Sequence, residues 1–259
     1  MKKMLDFVVR SNAQLNDRNH LLRVSPVTNE TLPEMLPGQF VQIRVDDSPG
    51  TYLRRPISIN FVDYAANEIW LLVQRVGDGT AKICDLKPGK TLNMLYPLGN
   101  SFSVPDSKPV KTLLVGGGVG MAPMLFLGKI LKDKGYLPDF LLGGRSAKDL
   151  LLLEEFEKYG RVYCTTEDGS EGEKGFVSDH SLLQNEKFGK IYTCGPKPMM
   201  LAVAKYARYQ GVDCEVSLEN LMACGIGACL CCVEKTTRGN VCACTEGPVF
   251  NINELRWID

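Results

Sequence analysis

Residues 111–123 read K-T-L-L-V-G-G-G-V-G-M-A-P, an apolar strand followed by a glycine-rich turn and the start of a helix. A helix N-terminus attracts anions, and glycines between a strand and a helix allow backbone amides to approach a dinucleotide pyrophosphate. The spacing departs from a strict G-x-G-x-x-G, and a tight turn without a ligand is the alternative. Four glycines among five residues favour the binding site. The residues predicted to bind the dinucleotide are Gly116, Gly117, Gly118 and Gly120.

The chain that follows this turn alternates between helices and strands. Helices are predicted at 122–134, 148–159, 178–183 and 197–210, and strands at 140–142, 162–165, 190–193 and 214–217. This alternation is typical of a doubly wound α/β domain with a parallel sheet, which we assign to residues 106–215. Cys194, Gly195 and Pro196 follow the last of the predicted inner strands, at the edge where such sheets bind ligands, and join the predicted site. The Cys194 thiol either faces a nicotinamide or is a buried packing group.

Residues 1–105 have an all-β pattern. Short apolar or alternating runs lie at 5–9, 21–27, 39–45, 57–61, 69–76 and 91–96, and turn residues such as Pro37-Gly38 and Pro88-Gly89 separate them. Six strands at this spacing predict an antiparallel barrel, closed by one short helix near 80–86. The pattern changes from β to α/β near Ser107–Pro109.

One barrel strand carries Arg54-Arg55-Pro56-Ile57-Ser58, and Gly77-Asp78-Gly79-Thr80 follows the next strand. A guanidinium can grip a pyrophosphate through two parallel hydrogen bonds, and Gly79 leaves room for backbone amides to approach a phosphate. Thr80 is predicted to begin a helix whose N-terminus favours anions. Ser58 could bond a flavin ring nitrogen. The alternative is a surface arginine pair and an ordinary turn.

The cysteines supply the strongest motif. Six of the ten cysteines fall between Cys224 and Cys244, and a reducing compartment disfavours disulfides, so this cluster points to metal or redox chemistry. Cys224, Cys229 and Cys232 have the C-x4-C-x2-C spacing of plant-type [2Fe–2S] proteins. Cys242 or Cys244 is the fourth ligand, and a four-thiolate zinc site is the alternative, although paired C-x2-C knuckles are missing. Residues 216–259 are predicted to form this small third domain.

The bulk composition excludes other function classes. Lys and Arg together number 30, as do Asp and Glu, which gives no electrostatic case for nucleic acid or an anionic membrane. The apolar runs are too short to span a bilayer, and the chain is expected to be cytoplasmic. Neither His20 nor His180 lies near a motif, and no side chain is nominated as catalytic.

The order of these motifs resembles the ferredoxin–NAD(P)⁺ reductase superfamily along the whole chain, including Y-P-L-G-N-S-F at 96–102. Within it, residues 218–229 (L-E-N-L-M-A-C-G-I-G-A-C) and 244–250 (C-T-E-G-P-V-F) resemble the electron-transfer subunit of type B dihydroorotate dehydrogenase. That family's fourth ligand precedes G-P-[VI]-F by two residues, which selects Cys244. Many superfamily members carry a flavin-stacking tyrosine where Ile57 stands here.

The resemblance implies FAD, one [2Fe–2S] cluster and NAD(H) as substrate, in an oxidoreductase subunit of pyrimidine biosynthesis. It implies an FMN-containing catalytic partner that holds the dihydroorotate site, in a heterotetramer with two copies of each subunit. The residues that would line the FAD are Arg55, Pro56, Ile57, Ser58, Leu72, Val73, Gln74, Gly79 and Thr80. We expect residues 222–232 and 246–250, around the cluster, to face the partner.

Two alternative functions and the choice of dinucleotide stay open at this point. The first alternative is the small subunit of a NAD(P)H-dependent ferredoxin oxidoreductase or sulfhydrogenase, which shares the flavin and cluster domains. A zinc-stabilised or redox-sensing binding module without turnover is an alternative of another class. For the dinucleotide, the acidic Glu167 and Asp168 after the third strand favour the ribose diol of NADH, whereas Arg145 after the second strand favours NADPH.

Overall fold

The computed structural model describes residues 2–28, 30–106 and 110–258. The predicted change of pattern at Ser107–Pro109 lies outside the described residues. The first part of the chain is the predicted closed antiparallel barrel, in the strand order β1-β2-β5-β4-β3-β6. Its elements are β1 (Lys3–Gln14), β2 (Asn19–Pro26), β3 (Phe40–Ile43), β4 (Arg55–Asp63), β5 (Glu68–Gln74), α1 (Asp78–Cys84) and β6 (Thr91–Leu98).

The barrel closes around alternating apolar side chains. Phe7, Val41, Ile43 and Ile59 are completely buried, and the Phe7 ring meets the buried Tyr96 ring edge to face at 4.9 Å between centroids. Each such side chain contributes about 1.5–3 kcal/mol when it is buried. Because successive residues of a strand point to opposite faces, the neighbours of these residues on β3 point outward, toward the rest of the molecule.

The second part is a seven-stranded sheet with the order β10-β9-β8-β7-β11-β12-β15, flanked by helices, in which β15 (Val249–Asn251) comes from the end of the chain. Its first elements are β7 (Thr112–Gly117), α2 (Ala122–Asp133), β8 (Asp139–Gly144), α3 (Leu153–Glu157), β9 (Arg161–Thr166) and β10 (Glu173–Lys174). The next elements are α4 (Leu182–Asn185), β11 (Lys190–Cys194), α5 (Lys197–Gln210) and β12 (Asp213–Ser217). All these strands run parallel, as predicted.

Two predicted helices are shorter than expected. In place of a helix over 148–159, a single turn at Ala147–Asp149 precedes α3, and Leu152 between them has a left-handed φ of 59°. A residue in that conformation cannot continue a right-handed helix. Leu150 and Leu151 use the break to enter the core, where they are 7% and 4% exposed. In place of a helix over 178–183, a turn at Val177–Asp179 precedes the four-residue α4.

The cysteine-rich end of the chain packs against both earlier parts. It contains the hairpin β13 (Val233–Thr236) and β14 (Gly239–Cys242), followed by β15 (Val249–Asn251), which pairs antiparallel with β12. Phe250 of β15 lies in one apolar cluster with Phe40 and Leu98 of the barrel. The last strand therefore returns to the sheet of the middle domain, while the domain boundaries after residues 105 and 215 stay predictions. Among the described residues, no helix has both the length and the apolar character needed to cross a bilayer.

Candidate flavin, dinucleotide and cluster sites

The barrel brings together two motifs that lie 24 positions apart in the sequence. A Cβ atom on Gly79 would lie 2.6 Å from Nε of Arg55, so the Arg55 guanidinium packs directly over the first turn of α1. The absence of a side chain at position 79 allows this close approach. The predicted site consequently presents a guanidinium beside backbone amides at the start of a helix, a combination that suits a pyrophosphate.

Thr80 has a structural task in this turn. Its hydroxyl accepts hydrogen bonds from the backbone N–H groups of Val76 (2.9 Å) and Gly77 (3.1 Å) and donates one to the Gly77 carbonyl (3.0 Å). The helix begins at Asp78, two residues before the predicted start. The Thr80 side chain thus holds the turn of the predicted phosphate site in shape.

Arg54 and Arg55 of the flavin motif make different contacts. Arg54 donates to Oδ1 of Asn93 on β6 (2.6 Å) and to the Gln42 carbonyl on β3 (3.2 Å), which ties the chain just before β4 to these two strands. Arg55 makes one short contact, from Nη1 to the Leu53 carbonyl at 2.9 Å. The surface-pair alternative therefore describes Arg54 better than Arg55, whose guanidinium keeps donors for a ligand.

The other predicted flavin residues lie on two barrel strands. On β4, Pro56, Ile57 and Ser58 are half-buried and pair with β3. On β5, Leu72 and Val73 are 4% and 0% exposed, so their side chains belong to the core. Gln74, at the end of β5, keeps a half-exposed side chain. Contacts from Leu72 and Val73 to a ligand could come only from the backbone.

The sheet joins the glycine turn to the Cys194–Pro196 segment, because β7 and β11 are neighbours and Cys194 pairs with Gly116. A Cβ on Gly120 would lie 2.4 Å from the Gly195 backbone, and one on Gly117 would lie 2.5 Å from Met199 Sδ. Gly118, by contrast, has open space around it and a φ of 56°. The two segments meet at the carboxyl ends of adjacent parallel strands, where open α/β sheets bind ligands.

The side chain of Cys194 packs in the protein core. The thiol is 1% exposed, and desolvation raises its pKa far above the usual range. Such a thiol stays protonated and unreactive. The structure therefore favours the packing alternative for the sulfur, while the backbone of Cys194 stays beside the glycine turn.

The loops after the second and third strands lie side by side, since the Asp168 N–H donates to the Arg145 carbonyl at 3.2 Å. The Asp168 carboxylate accepts from the hydroxyl (2.6 Å) and the N–H (2.9 Å) of Ser170, and these bonds lower its pKa. It is therefore ionised at neutral pH, on the side of the sheet where a ribose would lie. Arg145 is exposed next to it.

Backbone amides surround the cysteine sulfurs in the C-terminal loop. The Gly227 N–H points to Cys244 Sγ at 3.2 Å, and the Cys244 N–H points to Cys232 Sγ at 3.4 Å. Cys224 Sγ receives the N–H groups of Cys229 (3.4 Å) and Ile226 (3.5 Å). Amides aimed at sulfur stabilise thiolates, the form that binds iron. The donor set of the four predicted ligands therefore suits a [2Fe–2S] centre.

The ionisation of these thiols differs with their surroundings. The Ile226 amide and its neighbours lower the pKa of Cys224 to about 6, whereas burial, followed by the proximity of Cys232, raises that of Cys244 to about 12. Cys231 is exposed. The pKa of Cys242 is raised, first by burial and then by the neighbouring Cys232. Cys242 thus lies near the same sulfurs, and the choice of Cys244 as the fourth ligand stays a prediction. Among the described residues, no three His, Cys, Asp or Glu side chains are already arranged around one metal-ion position.

One residue of this region was missed by the sequence reasoning. Gln42 on β3 is completely buried, and its side chain lies against Gly225 in the cluster loop. The available signal was a polar residue in the otherwise apolar run Phe40-Val41-Gln42-Ile43. The alternation of a strand gives the face on which such a residue lies but not the partner that it meets.

Comparison with known proteins identifies the family. The electron transfer subunit of dihydroorotate dehydrogenase B (NAD(+)) from Bacillus velezensis is 39% identical over 98% of this chain and 99% of its own length. The subunits of the same name from Fusobacterium nucleatum (38% identical; 98% of each chain) and Listeria monocytogenes (41% identical; 89% of this chain, 91% of the relative) agree. This chain belongs to the family of dihydroorotate dehydrogenase B electron transfer subunits.

Two parts of the chain also match family models of single domains. Residues 219–256 match the iron-sulfur cluster binding domain of dihydroorotate dehydrogenase B, and residues 114–205 match the oxidoreductase NAD-binding domain. These matches fall on the cysteine loop and on the sheet with the glycine turn. The prediction of the family from the motifs at 218–229 and 244–250 is confirmed.

Solved structures support the same architecture. A chain from the NADH-dependent reduced ferredoxin-NADP oxidoreductase, described in work on flavin-based electron bifurcation, superposes with a TM-score of 0.86 at 30% identity, covering 98% of this chain and 90% of that one. The FAD/NAD-binding domain of nitric oxide dioxygenase from Vibrio cholerae superposes with a TM-score of 0.69 at 21% identity, covering 82% of this chain and 98% of that one. At 21% identity, the similarity to the nitric oxide dioxygenase domain is evidence for the fold and not for the function. The predicted fold class is confirmed.

Proposed function

We propose that this chain conducts electrons between NAD and an FMN-containing catalytic subunit that oxidises dihydroorotate, through FAD bound at β4 and α1 and a cluster held by Cys224, Cys229, Cys232 and Cys244. The chain is an NAD-linked oxidoreductase subunit of the dihydroorotate dehydrogenase B family, and its cofactors are FAD, a [2Fe–2S] cluster and NAD. The flavin exchanges electron pairs with the nicotinamide, and the cluster passes electrons singly.

The observation that carries the proposal is the junction between the cysteine loop and the barrel. The Asn100 N–H donates to the Gly247 carbonyl (2.6 Å), and the Asn100 side chain donates to the carbonyls of Glu246 and Val249 (both 2.8 Å). A Cβ on Gly225 would lie 2.8 Å from Gln42 Cγ. The segment around the proposed ligand Cys244 is therefore held rigidly against the barrel that bears the flavin motif, as electron passage between two centres requires.

The proposed binding roles follow from the contacts already described. Arg55 and the amides near Gly79 bind the FAD pyrophosphate, and Ser58 bonds the edge of the flavin ring. The glycine turn and Gly195 bind the dinucleotide at the carboxyl end of the sheet. Asp168 favours NADH, because a carboxylate pairs with a ribose diol and repels a 2′-phosphate.

An exposed apolar surface beside the cluster loop supports a partner there. Leu221 (85% exposed), Ile226 (48%) and Leu230 (64%) flank the proposed ligands, and Cys229 is itself exposed. Apolar side chains concentrated on one surface mark protein contact sites. We propose that residues 222–232 contact the catalytic subunit, in an assembly of two copies of each subunit.

The corresponding expectation for residues 246–250 is largely wrong. Val249 and Phe250 are 5% and 2% exposed, because this stretch packs on the barrel and then forms β15. Of the five residues, Glu246 is the exposed one. The partner surface is consequently proposed on one side of the cluster only.

The test is reconstitution. The purified, flavin-loaded chain should reduce artificial dyes with NADH but show no NAD⁺-dependent oxidation of dihydroorotate until an FMN-containing catalytic subunit is added. Leu230→Glu should weaken that restoration while dye reduction persists. Leu137→Glu, which changes another exposed leucine (80%) outside the cluster loop, is the matched control. Turnover of dihydroorotate by the chain alone would contradict the proposal, and native mass measurement of the mixture tests the stoichiometry.

A second candidate is a subunit of a ferredoxin-NADP oxidoreductase, which the 0.86 TM-score over 98% of this chain favours. Identities of about 40% with the dihydroorotate dehydrogenase B subunits favour the first candidate. Restored activity with dihydroorotate and the catalytic subunit supports the first, whereas electron exchange with ferredoxin and none with that subunit supports the second. A cytoplasmic location is proposed from the ten cysteines, all of which are free.

A further inference from the structure

Gln42 has a buried amide group that no described residue satisfies. The residue is 0% exposed, and neither Oε1 nor Nε2 has a hydrogen-bond partner among the described residues. Burying an amide without partners is unfavourable, and most buried polar groups in folded proteins are bonded. Where such an amide also lies against a loop proposed to hold a cofactor, as Gln42 does against Gly225, a partner on the bound group is indicated.

A neighbouring glutamine of the barrel region differs from Gln42 in the bonding of its side-chain amide. Gln39, three residues earlier, accepts a bond from the Leu36 N–H (2.8 Å) and donates one to the Gly99 carbonyl (3.3 Å). Arg54 is bonded to the backbone carbonyl of Gln42 and leaves the side chain untouched. Internal bonds thus satisfy the amide of Gln39 but not that of Gln42.

The position of the Gln42 side chain identifies the bound group. A Cβ on Gly225 would lie 3.0 Å from Nε2 and 2.8 Å from Cγ of Gln42, and Gly225 directly follows the proposed ligand Cys224. Through its backbone, Gln42 also pairs with Pro56 of the flavin motif. The side-chain amide therefore lies against the loop proposed to bind the cluster, on a residue whose backbone is paired with the strand proposed to bind FAD.

We infer that Nε2 of Gln42 donates a hydrogen bond to sulfur of the [2Fe–2S] centre beside Cys224 and thereby raises the reduction potential of that centre. The inference rests on the proposed cluster ligands. Reduction adds a negative charge to the centre, and an N–H donor stabilises the more negative form because hydrogen bonds to ionic acceptors are stronger. Gln42 is thus a positioning residue that acts on the cluster and is not one of its ligands.

The test compares two amides of the barrel. Gln42→Leu removes the donor at similar volume, and Asn60→Leu is the matched control, since Asn60 on β4 is also completely buried with both amide atoms unpartnered. The full chain is purified with both cofactors, and iron content, the electron paramagnetic resonance spectrum of the reduced cluster and the midpoint potentials of cluster and flavin are measured. Gln42→Met, which keeps an unbranched side chain, replaces the first variant if that one does not fold.

We expect Gln42→Leu to keep its iron and to make the cluster harder to reduce, by up to a tenfold change in the reduction equilibrium, which is about 59 mV for one electron. Its flavin potential and the cluster potential of Asn60→Leu should stay at wild-type values. An unchanged cluster potential with a shifted flavin potential would overturn the inference, since the amide would then serve FAD. Equal shifts in both variants would overturn it too, because general packing would be the cause. Wild-type protein without a cluster would instead refute the proposed function.

Discussion

The two glycine-rich segments of this chain differ in the main physical reason for their glycines, although Gly118 of the first also has a positive φ and Gly225 of the second also packs closely against Gln42. In residues 116–120, Cβ atoms on Gly117 and Gly120 would lie within 2.5 Å of Met199 and of the Gly195 backbone, so glycine is required there for close approach. In residues 225–227, Gly225 and Gly227 have φ values of 72° and 84°, so glycine is required there for left-handed turns. The first arrangement joins two strands, and the second turns amides toward sulfur.

The two segments also differ in how far their surroundings are exposed to solvent. Met121 and Ala122, after the first segment, are 1% and 2% exposed, whereas Ile226 within the second is 48% exposed. Core packing stabilises the first segment. The second has little core of its own, and metal–thiolate bonds are the natural source of its stability. Damage to the two segments should therefore have separate consequences.

The largest effect is expected from Cys244→Ser. Loss of a ligand thiolate should remove nearly all of the iron while FAD and NADH binding persist, and iron analysis with the visible spectrum measures both. Cys231→Ser is the matched control, because Cys231 is exposed and does not fit the ligand spacing. An intact cluster in Cys244→Ser together with its loss in Cys242→Ser would show that the fourth ligand is Cys242.

The complementary experiment is Gly120→Ala. The added methyl group would overlap the Gly195 backbone, and overpacking of this kind costs about 1–3 kcal/mol. Thermal unfolding should occur at a Tm lower by about 2–4 °C for each kcal/mol, and reduction of the flavin by NADH should slow. The cluster content should stay normal. Gly118→Asn has open space and a φ that asparagine tolerates, so a comparable loss of Tm in that variant would argue against the role of close approach.

A smaller effect, on FAD binding, is expected at Arg55, whose flexible side chain packs over Gly79. Arg55→Ala should weaken FAD binding by about tenfold to a hundredfold, in line with charge-assisted bonds of roughly 1.5–3 kcal/mol. Flavin release on dilution, followed by fluorescence, measures this. Arg54→Ala should do the reverse, with a lower Tm and normal FAD retention, because Arg54 is bonded to Asn93 and the Gln42 carbonyl. Unchanged FAD retention in Arg55→Ala would remove that residue from the site.

The smallest effect concerns the choice of dinucleotide. The kcat/KM for NADH should exceed that for NADPH, and Asp168→Asn should narrow the difference by a few-fold, because the ionised carboxylate repels a 2′-phosphate. Steady-state rates with both dinucleotides give the ratio. Arg145→Ala is the companion variant, and a selective loss of NADPH activity in it would show that Arg145 receives the phosphate. A wild-type preference for NADPH would contradict the assignment.

Local patterns were sufficient for much of this protein. The six barrel strands, the parallel sheet and the cluster loop follow from strand alternation, turn residues and the C-x4-C-x2-C spacing, all of which act over a few neighbouring residues. The helix predicted at 148–159 was too long, because Leu150 and Leu151 leave the helix to enter the core. The outward orientation expected for residues 246–250 failed for a related reason, since β15 pairs with a strand more than 30 positions earlier.

The sequence by itself determined which chemical groups this chain offers: the thiols of the cluster loop, the arginines of the flavin motif and the glycines of the predicted pyrophosphate sites are identities that no fold supplies. Tertiary structure alone decided which of them meet. It brought Arg55 over Gly79, separated Arg55 from the structural Arg54, and buried the Cys194 thiol. It also set the Gln42 amide against the cluster loop. The physical reason is that these contacts join residues far apart in the chain, and only the packing of the barrel, sheet and loop fixes their distances.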